Sequence, residues 1–169
     1  MSEYHIPVLL DESVSALITD ISGIYADATF GGGGHTSEIL SRLDSNGRVI
    51  AFDRDADAIG NRLNDARLTL VRNNFRFIHN FILYSGYRTG IDGVLADLGV
   101  SSHQFDTAER GFSFRYDAPL DMRMNDKAET SAADIINRKS EEELEKIFRL
   151  YGEVEGSRRL ARLICAARE

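Results

Sequence analysis

A run of four glycines stands where an apolar segment meets the start of a predicted helix. Residues 26–35 are A-D-A-T-F-G-G-G-G-H. Glycines at the carboxyl end of a parallel strand let the backbone turn tightly and approach a ligand closely. The N-terminus of the following helix favours a negatively charged group. The segment therefore predicts a ligand site, and we place His35, directly after the glycines, against the ligand.

An acidic residue at the end of the second predicted strand completes this pattern. Asp53 stands about 20 residues after the glycines, the spacing at which an acid can accept the hydroxyls of an adenosine ribose. Strand, glycine loop, helix, strand and acid are together far more specific than glycines alone. They predict a nucleoside cofactor. The alternative is a flexible glycine turn and an aspartate that only caps a helix.

The identity of the cofactor depends on the glycine spacing and on one further charge. The dinucleotide fingerprint G-x-G-x-x-G is broken in both registers, because its last position falls on Thr36 or on Ser37. Asp27 would repel a pyrophosphate but attract the cationic amino and sulfonium groups of S-adenosylmethionine. Both observations favour S-adenosylmethionine over a nicotinamide cofactor, although Asp27 could equally be a turn former.

A second acid that could do chemistry is Asp97, at the carboxyl end of the fourth predicted strand. Methyl transfer to an exocyclic amine needs a hydrogen-bond acceptor, because the amine lone pair is delocalised into the ring until the nitrogen attacks. Asp97 can be that acceptor, and Ser101 and Ser102 could orient the base. The alternative is that Asp97 only caps the loop.

Two segments carry basic residues that a nucleic acid could use. Residues 110–116 (RGFSFRY) interleave basic and aromatic side chains, which suits stacking on an unpaired base. Such residues can also form a small hydrophobic plug under a loop. Arg158, Arg159 and Arg162, with Arg168, make a second basic patch, a pattern more often found on a solvated helix face.

The elements that position these residues follow from the hydrophobic pattern. Short apolar runs predict strands near residues 24–29, 48–52, 68–71 and 93–96. Helical spacing between them predicts crossover helices, one behind the N-cap Asp55 and one over residues 75–87. Residues 98–129 show no sustained period, which indicates a substrate lid. Three helical patterns follow, the second behind a cap-like Ser140.

These elements predict an α/β fold with a Rossmann-like sheet of about four parallel strands. We assign residues 1–104 to a cofactor-binding core, 105–130 to the lid and 131–169 to the start of a helical substrate domain.

Composition narrows the class of protein further. The 169 residues are 43% hydrophobic and 28% charged, as in ordinary globular domains. No apolar stretch approaches the length of a membrane span, and the N-terminus lacks a signal-peptide pattern. The single cysteine and the unclustered histidines predict no metal site and fit the cytoplasm. The net charge of −7 means that any contact with RNA must be local.

Six motifs together resemble the ribosomal RNA small-subunit methyltransferase H family. They are HIPVLL (5–10), DATF with GGH (27–30 and 33–35), DRD (53–55), DLGVSS (97–102), ERGFSF (109–114) and PLDMRM (119–124). The resemblance implies S-adenosylmethionine-dependent N4-methylation of a cytidine in 16S small-subunit ribosomal RNA of the 30S subunit. By matching motif it implies that the cofactor contacts fall at Gly33, Gly34, His35, Asp53, Phe75, Asp97 and Gln104, with Phe75 against adenine and Asp97 also catalytic.

The resemblance also implies more chain than these 169 residues. Family members return from a helical insertion to finish the sheet with further strands. We therefore expect the fourth strand to present an open edge through which copies of the chain can associate. A cofactor-binding fragment without independent activity is the alternative function, and a nicotinamide-dependent oxidoreductase is a second one.

Overall fold

The computed structural model describes residues 7–168, so residues 5 and 6 of the first motif lie outside the described residues. These residues form two compact units. The first comprises the described residues up to His103 together with Met124–Asp126. The second comprises Gln104–Arg123 and the described residues from Lys127 onward.

A four-stranded parallel sheet forms the centre of the first unit, as predicted. Its strands are β1 (Ile24–Asp27), β2 (Arg48–Asp53), β3 (Leu68–Arg72) and β4 (Gly93–Leu95). The order across the sheet is β3-β2-β1-β4, and every pair is parallel. Because the carboxyl ends of parallel strands meet at one edge, the loops after β1, β2 and β4 are neighbours. The α/β class and the Rossmann-like half-sheet are thereby confirmed.

Helices connect these strands, and their bounds differ in part from the predicted ones. The first unit contains α1 (Leu10–Leu17), α2 (Gly34–Arg42), α3 (Ala56–Gly60) and α4 (Ile78–Tyr84), with a 3₁₀ turn at Phe75–Phe77. The predicted helix over 75–87 is therefore shorter and begins as a 3₁₀ turn. Helix α5 (Ser102–Asp106) contains the boundary between the two units.

Helix α3 ends earlier than its apolar spacing indicates. Asp55 is the N-cap as predicted, and its side chain accepts a hydrogen bond from the Asp57 N–H at 3.1 Å. The apolar repeat continues to Ala66, but the helix stops at Gly60 because the Asn61 N–H donates to the Ala58 carbonyl. The side-chain amide of Asn61 also donates to the carbonyls of Asp57 and Gly31, both at 3.3 Å.

The core of the first unit lies between the sheet and its helices. Val14 of α1, Ile39 of α2 and Val49 of β2 are fully buried in it. Tyr25 is also fully buried, and its hydroxyl accepts from the N–H groups of Thr19 and Asp20 and donates to the Asp20 carbonyl. The polar end of this tyrosine is thereby satisfied, as a buried hydroxyl requires.

The second unit is helical and confirms the helices predicted after residue 131. It contains α6 (Ala132–Arg138), α7 (Glu141–Tyr151) and α8 (Ser157–Ala166). Ser140 caps α7 as predicted, and its side chain and that of Glu143 form a reciprocal capping box. Ser131 and Asp134 form the same motif at the start of α6.

Residues 98–129, predicted as an irregular connection, contain more local structure than the pattern indicates. Besides α5 they include a 3₁₀ turn at Ala108–Arg110, and the Met122 N–H donates to the Arg110 carbonyl at 2.9 Å. This closure requires glycine at position 111, where φ is +68° and a Cβ would lie 2.5 Å from the Pro119 carbonyl oxygen. Among residues 7–168, no helix is both long and apolar enough to cross a membrane.

Strand β4 stands at the end of the strand order in the described sheet. Among the described residues it pairs with β1 alone, and its central residue Val94 is 52% exposed. An unpaired strand edge is a template for pairing with another chain. We expect concentration-dependent association in analytical ultracentrifugation, reduced by Val94→Lys but not by Val154→Lys, a matched change outside the sheet. A monomer over a wide concentration range would contradict the prediction.

Candidate cofactor site

The loop after β1 is fixed by backbone hydrogen bonds to both neighbouring strands. The Ala28 N–H donates to the Leu95 carbonyl of β4 at 2.8 Å, and the Phe30 N–H donates to the Phe52 carbonyl of β2 at 2.9 Å. The chain then turns, and α2 begins at Gly34. The glycines therefore follow the strand that lies between β2 and β4, at the carboxyl edge where ligands of such sheets bind.

The positions of this loop require glycine for different structural reasons. Gly31 and Gly33 have φ values of +54° and +80°, which an L side chain rarely adopts. A Cβ on Gly33 would also lie 2.9 Å from the Phe30 ring, whereas a Cβ on Gly31 would lie an ordinary contact distance of 3.9 Å from the Thr29 carbonyl oxygen. Gly34 has an ordinary φ, but a Cβ there would overlap Cγ of Pro7. Pro7 of the first motif thus packs directly against the glycine loop.

A pair of alanine substitutions separates backbone strain from crowding in this loop. We expect Gly31→Ala to lower the free energy of unfolding by about 1 kcal/mol, the cost of a left-handed alanine. Gly33→Ala should cost about 2 to 3 kcal/mol, because the Phe30 ring must move as well. Urea unfolding of both variants measures the difference. Equal losses would show that the Phe30 contact has no energetic role.

Asp53, the predicted ribose acceptor, stands at the end of β2 and also shapes the loop. Its Oδ2 accepts a hydrogen bond from the Gly31 N–H at 2.8 Å, and its Oδ1 accepts one from the Asp55 N–H at 2.9 Å. Each carboxylate oxygen has a second lone pair. The side chain is half-buried, so it can hold the loop and still accept hydroxyl groups from a ligand.

Asp27 lies inside the protein rather than open to a ligand. Its carboxylate is fully buried, and its oxygens accept from the Thr36 hydroxyl at 2.6 Å and the Thr29 N–H at 2.9 Å. Burial raises the pKa of Asp27 above its usual range, although the hydrogen bonds from Thr36 and Thr29 oppose that shift. The predicted direct attraction of cofactor cations does not match this placement, because Asp27 joins the strand, the loop and α2 instead.

The raised pKa of Asp27 makes a prediction about stability and pH. Its contribution to stability is fully present below the ordinary value of 3.8 and is lost as the pH rises through the raised pKa. Asp27→Asn keeps the shape without the charge. Its free energy of unfolding relative to the parent should therefore improve as the pH rises from 4 to 8.

The control for this prediction is an aspartate whose pKa moves the other way. The Ser22 hydroxyl and backbone N–H groups lower the pKa of half-buried Asp44. The effect of Asp44→Asn should therefore be independent of pH above about pH 5, since that carboxyl stays ionised in both states. Urea unfolding across the pH range measures both variants. A constant difference for Asp27→Asn would contradict the assignment.

His35 carries an unsatisfied buried atom. The residue is only 6% exposed, and its Nε2 makes no hydrogen bond with any residue that the structure describes. A buried polar atom without a partner costs about 1 to 3 kcal/mol. The nitrogen therefore suits a polar group brought by a ligand, which fits the predicted position of His35 against a cofactor.

Asp97 is attached to the glycine loop by its backbone. Its N–H donates to the Thr29 hydroxyl at 2.8 Å. The carboxylate is exposed and makes no hydrogen bond with the described residues. The alternative that the side chain caps its own loop has no such bond to support it. Asp97 thus offers an unoccupied acceptor beside the loop after β1.

The two remaining predicted contacts come from other parts of the chain. Phe75 starts the 3₁₀ turn after β3 and is 37% exposed, so part of its ring is open to a flat apolar group. Gln104 is buried in the second unit, in α5. The first unit therefore brings together the glycines, His35, Asp53, Phe75 and Asp97 at the ends of its strands.

Sequence reasoning missed three polar residues that hold this site. Thr29 anchors Asp97, Thr36 satisfies Asp27, and Asn61 binds the Gly31 carbonyl. Both threonines flank the glycine run, but no spacing rule links either of them to Asp27 or Asp97. Within residues 7–168, no three His, Cys, Asp or Glu side chains form a group that could hold a metal ion.

Comparison with known proteins gives a consistent result over nearly the whole chain. A model of the MraW methylase family matches residues 2–169. The chain is 57% identical to "Ribosomal RNA small subunit methyltransferase H" of Phocaeicola vulgatus, over 98% of this chain and 54% of that protein. Proteins of the same name from Bacteroides fragilis and Christiangramia forsetii are 56% and 51% identical. The chain spans about half the length of these curated relatives.

Proposed function

This chain belongs to the MraW methylase family, and from that membership and the geometry of its site we propose that it serves S-adenosylmethionine-dependent methylation of small-subunit ribosomal RNA. The methyl acceptor that we propose is N4 of a cytidine in 16S RNA. The observation that carries the proposal is the bond from the Asp97 N–H to the Thr29 hydroxyl. This bond holds the Asp97 carboxylate beside the glycine loop. The carboxylate itself makes no hydrogen bond with the described residues.

The residues of the first unit that would hold the cofactor are Gly33, Gly34, His35, Asp53 and Phe75, and Gln104 stays a prediction from the family resemblance. Asp53 would accept the ribose hydroxyls, Phe75 would supply an apolar face to adenine, and the unsatisfied Nε2 of His35 would gain a polar partner. When bound, S-adenosylmethionine supplies an electrophilic methyl group on its sulfonium.

Asp97 is the residue to which we assign catalysis. Its carboxylate would accept a hydrogen bond from the cytidine amine and then take a proton from N4 as that nitrogen becomes bonded to carbon. A buried acid could not do this as readily, since its ionised form is disfavoured. The exposure of Asp97, in contrast to the burial of Asp27, supports this division between the two aspartates.

We assign substrate binding to residues 105–130, as a lid, and to the helices over 131–169. In the basic and aromatic segment, the Phe112 ring is half-buried with the Arg110 guanidinium 5.9 Å from its centroid. Phe114 is fully exposed. The plug alternative fits Phe112, whereas the exposure of Phe114 supports stacking on an unpaired base.

The experiment that tests the function is transfer of labelled methyl from S-adenosylmethionine to isolated 30S subunits, followed by mapping of the modified nucleoside. We expect label on the cytidine N4 of 16S RNA. Calorimetric titration with S-adenosylmethionine and with NAD distinguishes the methyltransferase from the oxidoreductase alternative, because an oxidoreductase of this kind must bind NAD. Cofactor binding without any transfer would leave the chain as a cofactor-binding fragment. As substrate and cofactor are both cytoplasmic, we assign the chain to the cytoplasm.

A further inference from the structure

Helix α8 is the part of the second unit with the most one-sided charge. Residues Ser157–Ala166 (SRRLARLICA) include three arginines and no acidic residue, in a chain whose net charge is −7. Arg158, Arg159 and Arg162 are all exposed. A locally cationic surface on an acidic protein is where a polyanion would find its contact.

The packing of α8 determines where these arginines point. Helices α7 and α8 pack against each other, and Ser157 and Ala161 are the buried residues of α8. With 3.6 residues per turn, Arg159 then lies on the side opposite the buried face. Arg162 lies one turn further along and adjoins it, because residues three apart are neighbours on a helix surface.

Only some of these arginines lie near an acid. Glu142 has a lowered pKa, caused first by hydrogen bonds from backbone N–H and from Ser140 and further by the charge of Arg158. The positive charge of Arg158 is therefore partly compensated by the negative charge of Glu142. Within the part of the chain that the structure describes, neither Arg159 nor Arg162 forms an ion pair.

The position of the cations on the helix is locally unfavourable. The first turn of α8 contains Arg158 and Arg159, no acid, and no side-chain cap from Gly156. Positive charge at a helix N-terminus opposes the helix dipole. A bound anion would reverse this effect, because it would be attracted by both the dipole and the guanidinium groups.

We propose that Arg159 and Arg162 form a docking surface for the phosphates of small-subunit ribosomal RNA. This inference rests on the proposed function, since it names the surface by which the same enzyme would hold its substrate. The contacts would position the RNA without reading its sequence, as phosphate contacts do. Arginine suits this role because its planar group can donate two parallel hydrogen bonds to a phosphate.

The test is the salt dependence of RNA binding by the whole chain. Labelled 16S RNA transcript would be titrated between 50 and 200 mM salt with the parent, Arg159→Gln, Arg162→Gln and the double variant. Each lost contact should reduce the slope of log affinity against log salt by about 0.7 to 0.9. The double variant should bind about tenfold more weakly near 100 mM salt.

The matched control is Arg88→Gln, which removes one exposed charge from the first unit. It should leave the slope unchanged, and circular dichroism should show all variants to be folded. The docking surface is overturned if the double variant keeps the salt slope of the parent, or if Arg88→Gln reduces that slope by the same amount. Either result would leave the proposed function intact. Failure of the parent to bind RNA at 50 mM salt would remove both. A changed sedimentation coefficient with unchanged RNA affinity would assign the surface to self-association instead.

Discussion

Replacing Asp53 with alanine is expected to weaken S-adenosylmethionine binding at least about tenfold. Two ribose hydroxyls would lose their charged acceptor, which corresponds to roughly 1.5 to 3 kcal/mol. The same change would leave the Gly31 N–H without the carboxylate that now accepts from it at 2.8 Å. The site would thus lose both a ligand contact and the restraint on its glycine loop. Isothermal titration calorimetry measures the affinity directly.

The asparagine variant removes only part of what Asp53 provides. Asp53→Asn keeps an oxygen that can accept from the Gly31 N–H, but its amide nitrogen cannot accept from the Asp55 N–H, and it removes the charge from the hydrogen bonds to the ribose. Its affinity and its free energy of unfolding should therefore both lie between those of the parent and the alanine variant. Glu12→Ala, which removes an exposed acid from α1, is the control for net charge. Unchanged affinity in Asp53→Ala would remove this residue from the site.

The parallel sheet could be predicted because its sequence signals are local. Four short apolar runs, each followed by a crossover segment, are sufficient to indicate parallel strands. Helix α1 was not predicted for an equally local reason. It begins after Leu9, whose φ is +51° and whose side chain provides no cap. A helix whose start is set by backbone conformation has no capping residue to reveal it.

The site was predicted less completely, because the direction of a side chain at a strand end depends on tertiary packing. Asp27 and Asp53 both end strands of the same sheet and were both expected to face the ligand. The structure buries Asp27 against Thr36 and leaves Asp53 half-exposed. Which face of β1 is covered depends on α2, and the partner Thr36 is the third residue of that helix, on the far side of the glycine loop from Asp27. No spacing rule identifies such a contact.

The burial of Asp27 also explains why two acids at one edge can have separate roles. A fully buried carboxyl with a raised pKa resists ionisation, so it suits a structural link between a strand, a loop and a helix. An exposed carboxylate attached to the same loop through its backbone remains accessible to a ligand. Thr29 connects these two arrangements, because its backbone N–H donates to the Asp27 carboxylate and its hydroxyl oxygen accepts from the Asp97 N–H.

Replacing Asp97 with alanine is expected to reduce methyl transfer by about 100-fold or more, the contribution typical of a positioned proton acceptor. Asp97→Asn should be nearly as inactive, because an amide cannot take the proton from N4. Thr29→Val should cause a smaller loss, since it removes the anchor of the Asp97 backbone but keeps the carboxylate.

The assay is labelled methyl transfer to isolated 30S subunits, with calorimetry of S-adenosylmethionine as the measure of site integrity. If Asp97→Asn binds the cofactor and still transfers label at the parent rate, Asp97 has no catalytic role. If Thr29→Val is as inactive as Asp97→Ala while binding the cofactor normally, the position of the carboxylate matters as much as its presence.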